Sequence, residues 1–324
     1  MECWLTASKL ETALITYHLT KRYFPADYLL RLRMRLPWFT GISERAPFPR
    51  LVISNRIPRK SGPLFGPFAN RDFAQQYLEE VLALFQIRRC TDVLVPAPDH
   101  PGCIYGEMNQ CLRPCQCAVT EQEYGSEVAR LADFLSNNGK GAIAVLSAAR
   151  ARAAERTDFE QAAQIHKRME KMTAAAAARH EVITDIRFFN GVALTRGLEP
   201  RQFRLWPMLA GYWQEPLTLD FAEKDTQARS LDQDLRERLH VALAEPHTDS
   251  KRLEDLAIFS RWYYSSWRDG QWFPFRALAD LNYRRLVREI SNLAKTDAAS
   301  PKKGSARPIA PPDPDLSAGA DQQE

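Results

Sequence analysis

The chain has 324 residues, 45% hydrophobic and 26% charged, with a formal net charge of +4. Such a composition belongs to a globular protein of two or three small domains and excludes a collagen-like or low-complexity chain. No apolar run approaches membrane-spanning length, and Met1-Glu-Cys-Trp-Leu-Thr is no targeting peptide, so reduced thiols in the cytoplasm are expected.

Thr6 to Tyr23 reads as an amphipathic helix. Leu10, Leu14, Tyr17 and Lys21 fall on adjacent turns, and Pro25 ends it. Charge is uneven beyond it. From Lys21 to Lys60 there are ten Lys or Arg against two acids, Asp27 and Glu44, a field that attracts a polyanion. Within this stretch Arg31, Arg33 and Arg35 alternate with Leu30, Leu32, Met34 and Leu36. That period of two predicts a strand over Tyr28 to Trp38 with a row of guanidiniums on one face, suited to DNA phosphates. An exposed edge kept soluble by charge is the alternative. Leu51 to Ile53 is a second short strand. Asn70 to Phe85 predicts a helix with Phe73, Tyr77, Leu78, Val81, Leu84 and Phe85 on its core stripe.

Five of the six cysteines then fall between Cys90 and Cys117. Cys90, Cys103, Cys111 and Cys115 are spaced C-x12-C-x7-C-x3-C, and the intervening loops are long enough to fold back on one centre. Asp99-His-Pro-Gly102 signals a turn before the second thiol, and Pro114 bends the chain between the last two. Four thiolates suit tetrahedral zinc or an iron–sulfur cluster. The spacing lacks the paired C-x2-C knuckles of common zinc sites, yet both metals remain open. Two disulfides fit poorly with a chain of this length lacking a secretory signal.

Thr120-Glu-Gln-Glu123 is a capping box opening a helix through Phe134, with Asn137-Asn138-Gly139 as its stop. A helical hairpin follows. One arm runs from about Lys140 to Glu155, and the second opens at Asp158 with Gln161 at the box position. Ala153, Ala154, Ala162 and Ala163 permit close approach, while Phe159, Ile165, Met169 and Met172 supply apolar contacts. Val182 to Phe189, an Asn190-Gly191 turn, and Val192 to Thr195 predict a β-hairpin. Phe203 to Trp206 and Leu217 to Phe221 add strands, and further helices follow. Between Arg261 and Phe273 the chain is densely aromatic. Core packing is the ordinary use of such rings, although rings flanked by Arg261 and Arg268 also suit unpaired bases. After Lys295 the chain turns to Pro, Ala, Asp and Lys and reads as a disordered tail.

Several of these segments resemble the UvrC family, the nuclease subunit of bacterial nucleotide-excision repair. Gly62-Pro-Leu-Phe65-Gly66-Pro67-Phe68 is similar to the family's YFGPY element, and Leu84-Phe-Gln-Ile-Arg-Arg-Cys90 to its LFPLRTC element. Cys103-Ile-Tyr105, Cys111 and Leu112-Arg-Pro-Cys115 resemble its cysteine segment, and Asp158-Phe-Glu-Gln-Ala-Ala163 the core of a UVR motif. The likeness runs in order from about Leu10 to Met172. It implies a 4Fe–4S cluster on Cys90, Cys103, Cys111 and Cys115, with zinc as the alternative and Cys117 a spare thiol. It implies contact with a UvrB-like helicase through Glu155, Asp158, Phe159, Ala162 and Ala163. It also makes Lys9 to Tyr28 the last helix of a GIY-YIG nuclease domain, whose metal-binding glutamate aligns with Thr16. A hydroxyl cannot replace that carboxylate as a magnesium ligand. The strands that name the domain would precede Met1.

The expected organisation is α+β. A degenerate GIY-YIG remnant spans 1–60, a cysteine-ligated metal segment 61–119, and a helical region with the UVR-like hairpin 120–179. A small β-sheet with helices spans 180–295, and a tail 296–324. The expected function is DNA repair without catalytic residues: an accessory protein binding DNA and a helicase. An active UvrC-like endonuclease and an iron–sulfur redox-sensing regulator are the rival expectations.

Overall fold

The computed structural model describes residues 3–43, 47–57, 62–178, 181–220, 231–241 and 248–299. Ser8 accepts a hydrogen bond from the Glu11 amide at 3.1 Å and so opens α1 (Lys9–Tyr23). Leu10, Leu14 and Tyr17 are buried, as the periodicity predicts. The next stretch departs from expectation. Tyr28–Arg31 is one helical turn, α2, and residues 32–37 form no strand. Arg33 takes left-handed backbone with φ 47°, which interrupts any extended run. The alternation has another cause: Leu32 and Met34 pack against the α1 cluster while the arginines stay outside.

Regular strand begins at β1 (Trp38–Ile42). It pairs antiparallel with β2 (Leu51–Ser54) and β3 (Leu64–Phe68), and β3 pairs with β4 (Thr184–Asp185). The sheet order is β2-β1-β3-β4. β3 is buried throughout. Gly66 is required there, since a Cβ would stand 2.7 Å from the Phe39 ring and 2.9 Å from the Trp38 carbonyl. α3 (Arg71–Leu82) starts at Asn70, which accepts the Phe73 amide at 2.9 Å. Its buried stripe is Ala74, Tyr77, Leu78 and Val81. Phe73, expected on that stripe, is 58% exposed, because the buried face is turned one residue onward to Ala74.

A short turn of helix, α4 (Ile104–Glu107), interrupts the cysteine segment. α5 (Glu121–Asn137) opens with the Thr120–Glu123 capping box and stops where Asn138 and Gly139 take positive φ. α6 (Lys140–Glu155) and α7 (Phe159–Ala178) form the hairpin, and Asp158 accepts the Gln161 amide at 3.0 Å. Residues of α3, α5 and α7 enclose one core with Phe65, Phe68 and Phe85.

The second sheet contains β5 (Asn190–Arg196), β6 (Gln202–Leu209), β7 (Tyr212–Trp213), β8 (Leu217–Asp220) and β9 (Gly270–Phe275). The order is β7-β6-β5-β9, with β8 also on β6. The predicted hairpin at Asn190-Gly191 does not form. Both residues lie within β5, which pairs with β6 and β9. Gly191 answers a packing need instead: a Cβ would stand 2.2 Å from the Trp272 ring. The sheet buries both faces. Val192 and Leu194 join α8 (Leu231–Val241) and α10 (Tyr283–Ala299), while Ala193 faces α9 (Asp249–Tyr263). α10 runs past the expected start of the tail, and residues 300–324 lie outside the described residues. α9 also packs on α1, so elements far apart in the chain share one core.

The architecture is therefore α+β with antiparallel sheets. Among the described residues no helix is long and apolar enough to cross a membrane.

Candidate metal centre and partner surfaces

Few regular elements hold residues 88–119, so hydrogen bonds fix them. Leu112 donates to the Gln86 carbonyl at 3.1 Å, the Gln86 side chain to the Asn109 carbonyl at 2.8 Å, and Ala97 to the Cys115 carbonyl at 2.9 Å. Gln116 donates to the His100 carbonyl at 3.1 Å. The path is tightly wound: Asn109, Arg113 and Cys117 all adopt positive φ. Each such residue costs on the order of 1 kcal/mol, a cost met where surrounding structure or a bound group over-determines the path.

Cys111 and Cys115 are buried, Cys90 is half-buried, and Cys103 is exposed, where it precedes α4; all six cysteines are free thiols. Burial pushes the Cys111 thiol up. The Arg113 amide, 3.4 Å from its sulfur, opposes that shift, and nearby Cys103, Cys90 and Cys115 add to it. Burial likewise raises Cys115, reinforced by Cys103 and Cys90. Cys90 and Cys103 thus act electrostatically on both Cys111 and Cys115. The four are not closed into a ligand set: among the described residues no group of three or more His, Cys, Asp or Glu stands in a metal-holding arrangement. The donor chemistry still fits a thiophilic metal, because no acid or amine competes within the quartet.

Arg88 is the residue that spacing overlooks. Its guanidinium is buried and donates to the Phe48 carbonyl at 2.8 Å, the Asp92 carbonyl at 3.3 Å and Cys90 Sγ at 3.5 Å. Its amide donates to the Tyr124 hydroxyl at 3.0 Å, which in turn donates to the Pro49 carbonyl at 2.8 Å. Burial first of all drives the Tyr124 phenol well above its usual range. The Arg88 contact ties Cys90 to the same buried anchor that holds Phe48 and Asp92. The adjacent Arg89 stands over the Tyr105 ring at 5.1 Å. Two successive arginines before the first cysteine were the available signal.

Residues 37–134, from just before β1 to within α5, match the family model described as the UvrC/Cho excinuclease middle domain. Its central part is UvrC-like. The UvrABC system protein C of Carboxydothermus hydrogenoformans is 28% identical over 166 residues, 51% of this chain and 27% of the relative. That of Methanothermobacter thermautotrophicus is 29% identical over 199 residues, 61% of this chain and 33% of the relative. That of Sphingopyxis alaskensis is 31% identical over 174 residues, 53% and 27% of the two chains. The chain spans 33% or less of the length of these curated relatives. No solved structure matches it.

Beside this UvrC-like centre, the other expected sites are distributed unevenly. Arg31 is engaged locally, bonded to Asp27 at 2.8 Å and lying over the Phe24 ring at 4.0 Å. Arg33 is exposed, and only Arg35 lines a cleft, so the three do not make one row. At the hairpin tip Glu155 and Asp158 are exposed and Phe159 is 71% exposed, rather than packed between the arms as its helical spacing suggested. Ala162 is half-buried and Ala163 exposed.

Thr16 lines a cleft of about 440 Å³ between α1 and α9, together with Lys9, Arg35 and Arg261, and among the described residues no carboxylate lines it. The nearby acids are engaged elsewhere. Glu11 pairs with Arg204, and Glu254 accepts from the Tyr17 hydroxyl, from Lys21 at 2.6 Å and from Tyr28 at 2.6 Å. Nothing in the sequence announced Glu254 as a hub, since its partners lie at the far end of the chain.

Proposed function

We propose that this chain is a UvrC-like accessory protein of nucleotide-excision repair that binds DNA and a UvrB-like helicase without cutting DNA at the α1 cleft. The UvrC-like centre, continuous with a hairpin that holds Phe159 71% exposed at its tip, carries this proposal. An apolar ring on a narrow, otherwise polar tip suits insertion into a partner's apolar pocket. Cys90, Cys103, Cys111 and Cys115 would hold a 4Fe–4S cluster, with zinc as the alternative; either metal would cross-link a segment that lacks a core of its own. Arg88 would keep Cys90 in position.

The incision alternative requires a carboxylate where Thr16 stands, and three cations with no acid line that cleft. A magnesium-dependent phosphodiesterase needs oxygen ligands of negative charge.

A pull-down with a UvrB-like helicase tests the partner. Capture is expected to fall by tenfold or more, about 1.4 kcal/mol, in Phe159→Ala, with unchanged thermal stability because the ring is outside the core. Undiminished capture removes the hairpin as the contact. Incubation of pure protein with lesion-bearing and nicked DNA in Mg²⁺ or Mn²⁺ tests the second half, and robust cleavage overturns it.

A further inference from the structure

The α1–α9 cleft has a chemistry of its own. Its floor is apolar, built from Ala13, Leu32, Met34, Ala257 and Ile258. Lys9, Arg35 and Arg261 stand at its rim, all exposed, and among the described residues none of the three side chains pairs with a carboxylate. Asp269 is held by the Lys9 amide and by the Trp262 indole at 3.1 Å, and it does not line the cleft.

Trp267 completes the wall. Its neighbours in the aromatic run, Trp262, Tyr263, Trp272 and Phe273, are buried core residues, whereas Trp267 is 42% exposed. The aromatic run therefore divides: most of it closes the sheet, and one ring is left at the mouth of a cationic cleft. A purely apolar ligand would leave three cations unused. A small inorganic anion would leave the apolar floor and the indole unused. A nucleotide unit uses both, with a flat apolar base and a flanking phosphate.

We propose that this cleft takes one unpaired nucleotide of a DNA strand, its base against Trp267 and the apolar floor and its flanking phosphates at Lys9, Arg35 and Arg261. The proposal deepens, and rests on, the DNA-binding role above. A base paired inside a duplex cannot reach such a slot without leaving the stack, so single-stranded or gapped DNA is preferred. Phosphate contacts alone would not discriminate in this way. The cleft joins α1 to α9, and α9 lies beyond residues 37–134, so the site is separate from the UvrC-like centre.

The test uses the full chain, a short single-stranded oligonucleotide carrying 2-aminopurine, and the same sequence as a blunt duplex. The parent protein is expected to bind the single strand more tightly and to quench the fluorescent base. Trp267→Leu should weaken single-strand binding roughly 5- to 100-fold and leave duplex binding unchanged. Arg261→Glu should weaken the single strand and lower the salt slope by about 0.7 per lost phosphate contact. Both side chains are exposed, and circular dichroism verifies that the variants fold. Equal single-strand binding and quenching in parent and Trp267→Leu overturns the cleft and leaves the DNA-binding role standing. A parent protein that binds neither form of DNA overturns both.

Discussion

The cysteine segment and the second sheet are held together in opposite ways. In the sheet, Val192, Leu194, Phe203, Leu205, Trp272 and Phe273 are almost wholly buried, and helices cover both faces. In residues 88–119, Val93 is 91% exposed and Val95 71%, and Ile104 and Met108 also face solvent. Apolar burial contributes about 25 cal/mol per Å², so the sheet is closed by its own side chains. The cysteine segment has little such area. Its order comes from backbone hydrogen bonds and one buried guanidinium. One region is closed by its own side chains, and the proposed metal would cross-link the other.

The sharpest way to break this comparison is to remove a buried tryptophan of the sheet. Trp272→Ala should cost about 3–5 kcal/mol of stability in urea unfolding, because it empties the space against Gly191, Phe189 and Phe259. A loss below about 1 kcal/mol would show that the ring does not close that core. Hydrogen exchange in residues 88–119 should stay as in the parent at temperatures where both are folded.

The converse experiment acts on the thiols. Cys111→Ser should abolish bound iron, or zinc, in protein purified without oxygen, and should speed amide exchange across residues 88–119 by about tenfold or more, while β5, β6 and β9 exchange unchanged. Full metal content in Cys111→Ser, or protection lost equally in both regions, would end the contrast.

A smaller effect is expected where α1 and α2 meet α9. Burial alone would raise the Glu254 carboxyl, but Lys21, Tyr17 and Tyr28 outweigh it and hold it below the usual carboxylate range. A depressed carboxyl stabilises the fold above its unfolded value, about pH 4.3, and that contribution disappears as pH falls through the folded value. Burial pushes the neighbouring Asp255 the other way, despite Lys251 at 2.8 Å, so its charged form costs stability at higher pH. The difference between parent and Glu254→Gln isolates the first effect. Glu254→Gln should cost about 2 kcal/mol near neutral pH, and that gap should shrink below about pH 4. A gap independent of pH would mean the ion pair contributes nothing to holding α1 on α9.

Much of the helical plan was legible because it is written locally. The Thr120–Glu123 box, the Asn138-Gly139 stop and the Asp158 cap each act within a few residues, and each stands where the pattern put it. Local signals failed where tertiary packing reused the same residue types. Asn190-Gly191 has the composition of a tight turn, but Gly191 is there because Trp272 lies against it. Arg31, Arg33 and Arg35 alternate like a strand, yet only the apolar residues between them answer to the core. Phe73 and Phe159 sit at helical spacing and face solvent, because spacing fixes relative direction along a helix and not which face the rest of the chain covers.

By itself the sequence determined the kinship of the central part, the concentration of thiols and the starts of α5, α6 and α7. These depend on motif order and on short-range hydrogen bonding, which survive without knowledge of the rest of the chain. Only the tertiary structure decided that the Arg88 guanidinium reaches the Phe48 carbonyl, that Glu254 gathers three partners from α1 and α2, and that Arg35 and Trp267 line one cleft. Those contacts join residues far apart in the chain, and no local period encodes which distant face a folded core will bring alongside.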